Sequence, residues 1–448
     1  MKKILIFGAG KSSTCLIDYL VKTINEKQWS LVLCDSNLKL AEAKSGGSER
    51  TQAVSANVEN DESRRQMVSS CDLVISMLPA HLHFLVAKDC LELKKNLLTA
   101  SYIDDNIRSL GNDVSKYGLL FLCEIGLDPG IDHMSAMKII HSIQKKGGVI
   151  KSFKSHCGGL VAPESDSNPW HYKITWNSRN VVLAGSDGAE YLQNDKVVNV
   201  PYASVFKHPV QLTIPGLYPL CWYPNRNSLN YIRLYELDHI PTFIRTTLRH
   251  PAFCHGWHKL ISMGLTQTND YDTIKDCKTL KEWMNVKTAR YTLENKDWNN
   301  YLHLYITDPF KDEFTKQMHF LKLLSNDPLP SGFLCSADIL QAIVEEKLKL
   351  VDADKDMVVL LHEIDFILAD TLQSVTSKLV VKGDDNERTA MAKTVGLPLG
   401  IAAKLILENK IKLTGLHIPI LREIYDPLLA ELEQNGILFE TEGLDLKT

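Results

Sequence analysis

Ile4-Leu5-Ile6-Phe7-Gly8-Ala9-Gly10-Lys11-Ser12-Ser13 decides how the first third of this 448-residue chain is read. Four consecutive apolar residues predict a strand covered on both faces. The helix expected after the turn carries Leu16, Ile17, Leu20, Val21 and Ile24 at helical spacing on one side. Between them, Gly8 permits a tight turn. Gly10 lets a pyrophosphate approach backbone N–H groups at the positive end of the helix. The third glycine of the usual fingerprint is replaced by Ser13, small enough for close packing of helix on strand. A bare G-x-G is also an ordinary turn; its place between an apolar strand and an amphipathic helix favours a dinucleotide, with Gly8, Ala9, Gly10, Lys11 and Ser12 around the phosphates.

Working outward, apolar runs at residues 31–34, 73–78, 97–100 and 119–123, with a weaker one at 53–58, alternate with helical segments. That pattern predicts a parallel, Rossmann-type α/β sheet. Asp35 closes the second strand, 22 positions after Ser13, where an acidic side chain accepts hydrogen bonds from the adenosine ribose. Its charge would repel a 2′-phosphate, and neither Ser36 nor Asn37 offers a cation to receive one. NAD is therefore favoured over NADP, which is not excluded, the alternative for Asp35 being a solvated loop carboxylate.

After residue 126 the texture changes. Strands are expected at residues 151–157, 172–176, 180–183 and 196–200, separated by Gly, Pro, Asn and Ser clusters, which implies a mixed or antiparallel sheet. Helical patterns dominate from about 237 to 350, strand character returns at 357–361 and 374–381, and residues 390–408 read as a helix broken by Gly396 and Pro398. The expected organisation is a Rossmann domain (1–128 with 390–448), a mixed α+β sheet domain that binds substrate (129–236 with 357–389) and a small all-α insertion (237–356).

Composition narrows the function. With 44% hydrophobic residues the chain can bury real cores, and Lys+Arg 50 against Asp+Glu 54 gives a net charge of -4, without the basic excess of a nucleic-acid binder. An anionic substrate must be held by a few placed cations. Ten cysteines stand singly with no C-x-x-C pair, so neither a disulfide framework nor a zinc ribbon is expected. His81-Leu82-His83 and the His250, His255, His258 group only superficially resemble metal ligands, and no metal is expected. The first apolar run stops at Phe7 and no stretch approaches ~18 uninterrupted apolar residues, so a cytoplasmic, soluble protein without a membrane partner is expected.

Leu127-Asp128-Pro129-Gly130 follows the last strand of the nucleotide domain, at the carboxyl end of the sheet where open α/β folds bind ligands. Together with Thr99-Ala100-Ser101-Tyr102, Cys157-Gly158-Gly159, Ala162-Pro163-Glu164, Tyr223-Pro224-Asn225-Arg226, Thr247-Leu248-Arg249 and the segment from Ala390 to Pro398, the chain resembles the L-glutamate-forming saccharopine dehydrogenases, also called saccharopine reductases. These motifs span nearly the whole chain. The resemblance implies oxidation of a secondary amine, saccharopine, to L-glutamate and 2-aminoadipate 6-semialdehyde in lysine metabolism, by an NAD(P)-dependent homodimer. It places Asp128, Cys157 and Tyr102 near the reacting nitrogen as candidate acid/base groups. It gives Ser101, Tyr102, Asp128, Arg226, Thr247, Leu248 (through its backbone) and Arg249 as substrate contacts. Asn57, Val58, Leu78, Ala100, Ser101, Leu127, Asp128 and Pro129 join Asp35 and Ser36 around the dinucleotide.

From the residues alone, Cys157 is equally well a buried structural thiol, and an isolated Arg is ordinarily a surface ion pair. Planar guanidinium groups nevertheless suit a tricarboxylic substrate. Two other readings stay open: a carboxynorspermidine-type dehydrogenase, against which two substrate arginines argue, and a non-catalytic nucleotide-binding protein, for which Asp128, Arg226 and Arg249 are unnecessary.

Overall fold

β1 (Lys3–Phe7) lies in the interior of a seven-stranded sheet, flanked in parallel by β2 (Ser30–Asp35) and by β4 (Leu73–Ser76). The sheet continues on one side to β3 (Thr51–Ser55) and on the other through β5 (Asn96–Thr99) and β6 (Leu120–Leu122) to the late strand Gly415–His417; every pairing is parallel. The strands expected from apolar runs are buried on both faces. β3, the weak run, is the edge strand and only half covered. This is a computed structural model describing residues 1–289 and 310–444. Its first unit comprises residues 1–151, 234–237 and 360 onward; the second comprises residues 152–233 and 238–359.

Within the first unit, helix Thr14–Lys27 buries Leu16, Ile17, Leu20 and Ile24. Against it lies Ala390–Leu407, capped by Thr389, whose Oγ1 accepts from the Ala392 N–H at 2.9 Å. The break expected at Gly396 and Pro398 does not occur: both lie inside a continuous helix. The glycine is there for approach, because a Cβ on Gly396 would meet the Leu16 nitrogen at 2.7 Å. The helix has the length and apolarity to cross a membrane, but 83% of it is buried inside the fold, as in a core helix.

In the second unit, β7 (Val149–Val161), which enters it at Ser152, runs parallel to β13 (Thr242–Arg249). β13 is antiparallel to β11 (Leu220–Pro224), and β11 to β10 (Val210–Leu212). β8 (Ala189–Gln193) joins β13 antiparallel and carries the hairpin partner β9 (Lys196–Val200) and the two-residue β12 (Arg226–Asn227). The mixed sheet is as expected, but two of its anticipated strands are absent. Residues 172–176 are irregular, and Ser178–Val182 is a helical turn, started by Asn177 accepting from the Asn180 N–H at 3.3 Å.

The expected all-α insertion is corrected too, because β13 lies within 237–356. Helices Pro251–Ser262, Leu280–Thr288, Lys311–Phe320 and Ser336–Lys347 share one core with Trp170, Tyr172, Phe206 and Tyr223, so the helical residues and this sheet are not separate bodies.

Candidate functional site

The turn after β1 is shaped for a phosphate. Gly8 has φ +104°, and a Cβ there would lie 2.7 Å from the Met77 carbonyl oxygen, so only glycine lets this turn pass the end of β4. Ala9 N–H donates to Asp35 Oδ2 at 2.7 Å and Asn37 N–H to Oδ1 at 2.9 Å, which fixes the carboxylate at the tip of β2 beside the turn. Gly10 differs: a Cβ there would meet nothing within 4 Å, so packing of the protein does not demand glycine, whereas a group lying against the turn would. Ser13 is buried and bonds back to the Gly10 carbonyl at 2.8 Å. Lys11 is exposed and Ser12 half-buried. These residues fit a dinucleotide.

Ser36 and Asn57 are exposed just past β2 and β3, Val58 is buried, and Leu78 and Ala100 are half-buried after β4 and β5. One cation was missed: Lys44 Nζ donates to the Gly10 carbonyl at 2.6 Å and to Thr14 Oγ1 at 2.8 Å. No motif marks it, because a helix brings it back to the turn from 34 residues away.

Beyond β6 the chain forms a knot that presents Asp128. Gly126 N–H donates to the Pro129 carbonyl at 2.9 Å, Ile131 N–H to Gly126 at 2.8 Å, Asp132 N–H to Leu127 at 3.0 Å, and Gly130 N–H to Asp132 Oδ1 at 2.6 Å. The Asp128–Pro129 bond is cis, and Gly130 has φ +145°. A Cβ on Gly130 would stand 2.1 Å from the Gly126 oxygen. Leu127 and Pro129 are buried and Asp128 is half-buried, with the Tyr102 hydroxyl donating to its Oδ1 at 3.3 Å. Two of the three candidate acid/base residues therefore meet within this unit.

Behind them lie two buried polar chains that sequence reasoning did not find. Glu124 accepts from the Ile103 N–H at 3.1 Å and meets His133 Nε2 at 3.0 Å, and His133 Nδ1 meets the Tyr235 hydroxyl at 2.6 Å. Ser76, His83 and Ser101 form the second, with contacts of 2.8 and 2.7 Å. Their members are too scattered along the chain to form a motif.

In the second unit, Cys157, Thr247 and Tyr223 stand in one row across β7, β13 and β11. Cys157 is buried, and burial pushes the Tyr223 phenol up to about 12. A Cβ on Gly158 would lie 2.6 Å from Leu248 Cβ, so glycine at this position lets β13 come close. The Leu248 side chain is wholly buried, leaving only its main chain for polar contact.

Arg249 is 4% exposed, and its polar partners among the described residues are two main-chain carbonyls, Leu248 at 2.8 Å and Gly159 at 3.4 Å. Its guanidinium lies 5.0 Å from the Tyr172 ring centre and 5.6 Å from that of Phe253, and Nε has no hydrogen-bond partner. A desolvated cation held without a carboxylate is costly unless an anion arrives. Arg226 is different: its side chain is 59% exposed and pairs with Asp187 at 3.6 Å. Among the described residues no group of three or more His, Cys, Asp or Glu side chains is arranged to hold a metal.

The first unit thus holds a turn that fits a dinucleotide and a carboxylate bonded by a phenol at the strand ends, and the second a buried guanidinium with no carboxylate partner among the described residues. Comparison with known proteins agrees. Residues 4–179 match the saccharopine dehydrogenase NADP binding domain, and residues 126–437 match the saccharopine dehydrogenase C-terminal domain. The chain belongs to the saccharopine dehydrogenase family. It is 33% identical over 475 residues to the alpha-aminoadipic semialdehyde synthase of Arabidopsis thaliana, covering 97% of this chain and 44% of that one. The chain thus spans about half the length of such curated relatives.

Another family member, the saccharopine dehydrogenase [NADP(+), L-glutamate-forming] of Schizosaccharomyces pombe, is 32% identical, with 99% of this chain and 100% of that one covered. Among solved structures, the apo saccharopine dehydrogenase (L-Glu forming) from Saccharomyces cerevisiae superposes with a TM-score of 0.88 at 31% identity, covering 99% of this chain and 100% of that one. For this saccharopine dehydrogenase family member, the preference for NAD read from Asp35 finds no support in these names: the binding-domain model and the Schizosaccharomyces pombe enzyme specify NADP.

Proposed function

We propose that the chain oxidises saccharopine with a nicotinamide dinucleotide, releasing L-glutamate and 2-aminoadipate 6-semialdehyde. The observation that carries this is Arg249, a buried guanidinium that no carboxylate among the described residues neutralises and that a tricarboxylic amine would. Arg226, whose side chain is exposed, takes a second carboxylate. Ser101, Tyr102, Thr247 and the Leu248 main chain complete the contacts.

The dinucleotide, held by the turn from Gly8 to Ser12, by Asp35 and Ser36, and by Asn57, Val58, Leu78, Ala100, Ser101 and the 127–129 segment, supplies a hydride acceptor. The protein's own residues move protons. The bridging nitrogen must lose one before hydride leaves, and water must be activated to release glutamate. Asp128, whose Oδ1 accepts from the Tyr102 hydroxyl, is one candidate for these tasks and Cys157 the other.

The choice of dinucleotide belongs to this reading. The relatives' names speak for NADP, while the Asp35 carboxylate beside the turn disfavours a 2′-phosphate. A homodimer in the cytoplasm is the expected setting, checked by light scattering and by fractionation.

The deciding assay follows absorbance of the reduced nicotinamide after mixing protein with saccharopine and either dinucleotide, then repeats it with carboxynorspermidine. Turnover of saccharopine alone supports the proposal. Turnover of the polyamine instead, or dinucleotide binding with neither substrate oxidised, overturns it.

A further inference from the structure

The parallel sheet brings three polar side chains into line at its carboxyl edge. Ser76 ends β4, Ser101 follows β5, and His83 opens helix His83–Glu92 between them. His83 Nδ1 is 2.8 Å from Ser76 Oγ and Nε2 is 2.7 Å from Ser101 Oγ. Ser76 is fully buried and His83 is 4% exposed. His81, its neighbour in sequence, is exposed, so the His-x-His spacing does not gather both rings at one place.

The proton positions follow by elimination. A buried hydroxyl hydrogen must reach an acceptor, and among the described residues Ser76 Oγ has no hydrogen-bond partner besides His83 Nδ1. Ser76 therefore donates to Nδ1. A neutral imidazole that accepts at one nitrogen carries its hydrogen on the other, so Nε2–H donates to Ser101 Oγ. Ser101 cannot return its own hydrogen to the ring, and it has no other side-chain acceptor among the described residues.

The backbone of Ser101 is pinned at both ends, its N–H donating to Thr99 Oγ1 at 3.2 Å and its carbonyl accepting from Glu124 N–H at 3.1 Å. What remains is a half-buried hydroxyl whose only available hydrogen points away from His83.

We propose that His83, set by Ser76, is a positioning residue that makes the Ser101 hydroxyl a one-way donor to a ligand oxygen, either a substrate carboxylate or the nicotinamide carboxamide. The inference deepens the reading of Ser101 as a ligand contact and rests on it. Burial holds the His83 imidazole down at about 4, with Asp104 pulling it up and His81 pushing it down, so the ring stays neutral and the arrangement persists at working pH.

A double-mutant cycle tests this. Ser101→Ala is expected to cost roughly ten- to a hundredfold in kcat/KM, the range for a hydrogen bond to a charged or strongly polar acceptor. His83→Leu should cost most of the same, and the double variant no more than Ser101→Ala alone, because His83 acts only through that hydroxyl. His83→Gln, whose amide N–H can stand where Nε2–H stood, should recover activity to within a few fold.

The split between ligands reads the acceptor: a raised KM for saccharopine with unchanged Kd for the reduced dinucleotide, measured by fluorescence titration, assigns a carboxylate, and the reverse assigns the carboxamide. Losses that multiply in the double variant, or His83→Leu with unaltered constants, overturn the proposal. If His83→Leu does not fold, Ser76→Ala takes its place in the cycle with the same criterion of no additivity. Wild-type protein that fails to oxidise saccharopine would refute the function rather than this inference, and the dinucleotide titration would still report on Ser101 and His83.

Discussion

Replacing Arg249 with methionine separates what the residue does for the fold from what it does for a ligand. Methionine keeps the length and loses the charge. The fold would lose one good and one long hydrogen bond to carbonyls, of Leu248 at 2.8 Å and Gly159 at 3.4 Å, together about 2 kcal/mol, and a cation–π contribution of about 1 kcal/mol from Tyr172 and Phe253. It would regain the several kcal/mol that a desolvated, unneutralised cation costs, plus up to about 1 kcal/mol from a thioether against the same two rings.

Stability should therefore stay within about 2 kcal/mol of wild type, a shift of a few degrees in Tm. Binding has no such compensation. Removing one partner of a buried charge pair costs about 2–5 kcal/mol, and at about 1.4 kcal/mol per tenfold that is roughly a 30- to several-thousandfold rise in KM for saccharopine. Steady-state kinetics with saturating dinucleotide and a thermal melt measure both. A KM within about threefold of wild type, accompanied by a Tm lower by about ten degrees or more, would show that Arg249 serves the fold and refute the reasoning.

Asp35→Ala should raise the kcat/KM ratio of NADP to NAD by roughly tenfold, the order of like-charge repulsion across a few ångströms of water; an unmoved ratio in parallel assays removes Asp35 from cofactor choice. Gly130→Ala should destabilise the protein by about 3 kcal/mol or more and abolish turnover, because its Cβ has no space beside Gly126. Gly10→Ala, at an open position, should keep the wild-type melting curve and weaken dinucleotide binding in a fluorescence titration.

His83 gives a pH signature. Its folded pKa of about 4 lies below the ordinary 6.5, so the unfolded chain binds a proton that the folded one refuses between those values. This contribution is present above pH 6.5 and is lost as pH falls towards 4, at about 1.4 kcal/mol per unit and about 3 kcal/mol in all. Urea titrations from pH 7 to 4 should show it, and His83→Gln should flatten that part of the curve.

The parts legible in the sequence are those whose causes are local. The strand, glycine turn and helix from Ile4 to Ile24 could be read directly because apolar runs, turn glycines and helical spacing all act within a few residues. Ser178–Val182 was misread because Val181 and Val182 favour a strand, while the Asn177 cap starts a helical turn. Thr242–Arg249, rich in threonine, was hidden by the helices around it, yet it pairs centrally with β7 and β11. Gly396 and Pro398 looked like a break, and only the approach of Leu16 explains the glycine.

Of the candidate site, Asp128 with Tyr102 and Asp35 with the turn were readable. The Glu124–His133–Tyr235 chain, Lys44 and the environment of Arg249 were not, because each depends on residues that only the folded sheets bring together.

The last strand to join the first unit's sheet has a consequence for synthesis. Gly415–His417 extends the sheet beyond β6, and the Ala390–Leu407 helix covers Leu16 and Tyr19 on the first helix. While the ribosome is still making residue 389, the growing polypeptide has every glycine of its nucleotide turn but neither the cover for that helix nor the strand that pairs with β6 on the side away from β5. A nascent chain stalled there would expose apolar surface and an open strand edge, making it a client for chaperones until Ala390–Leu407 and Gly415–His417 emerge.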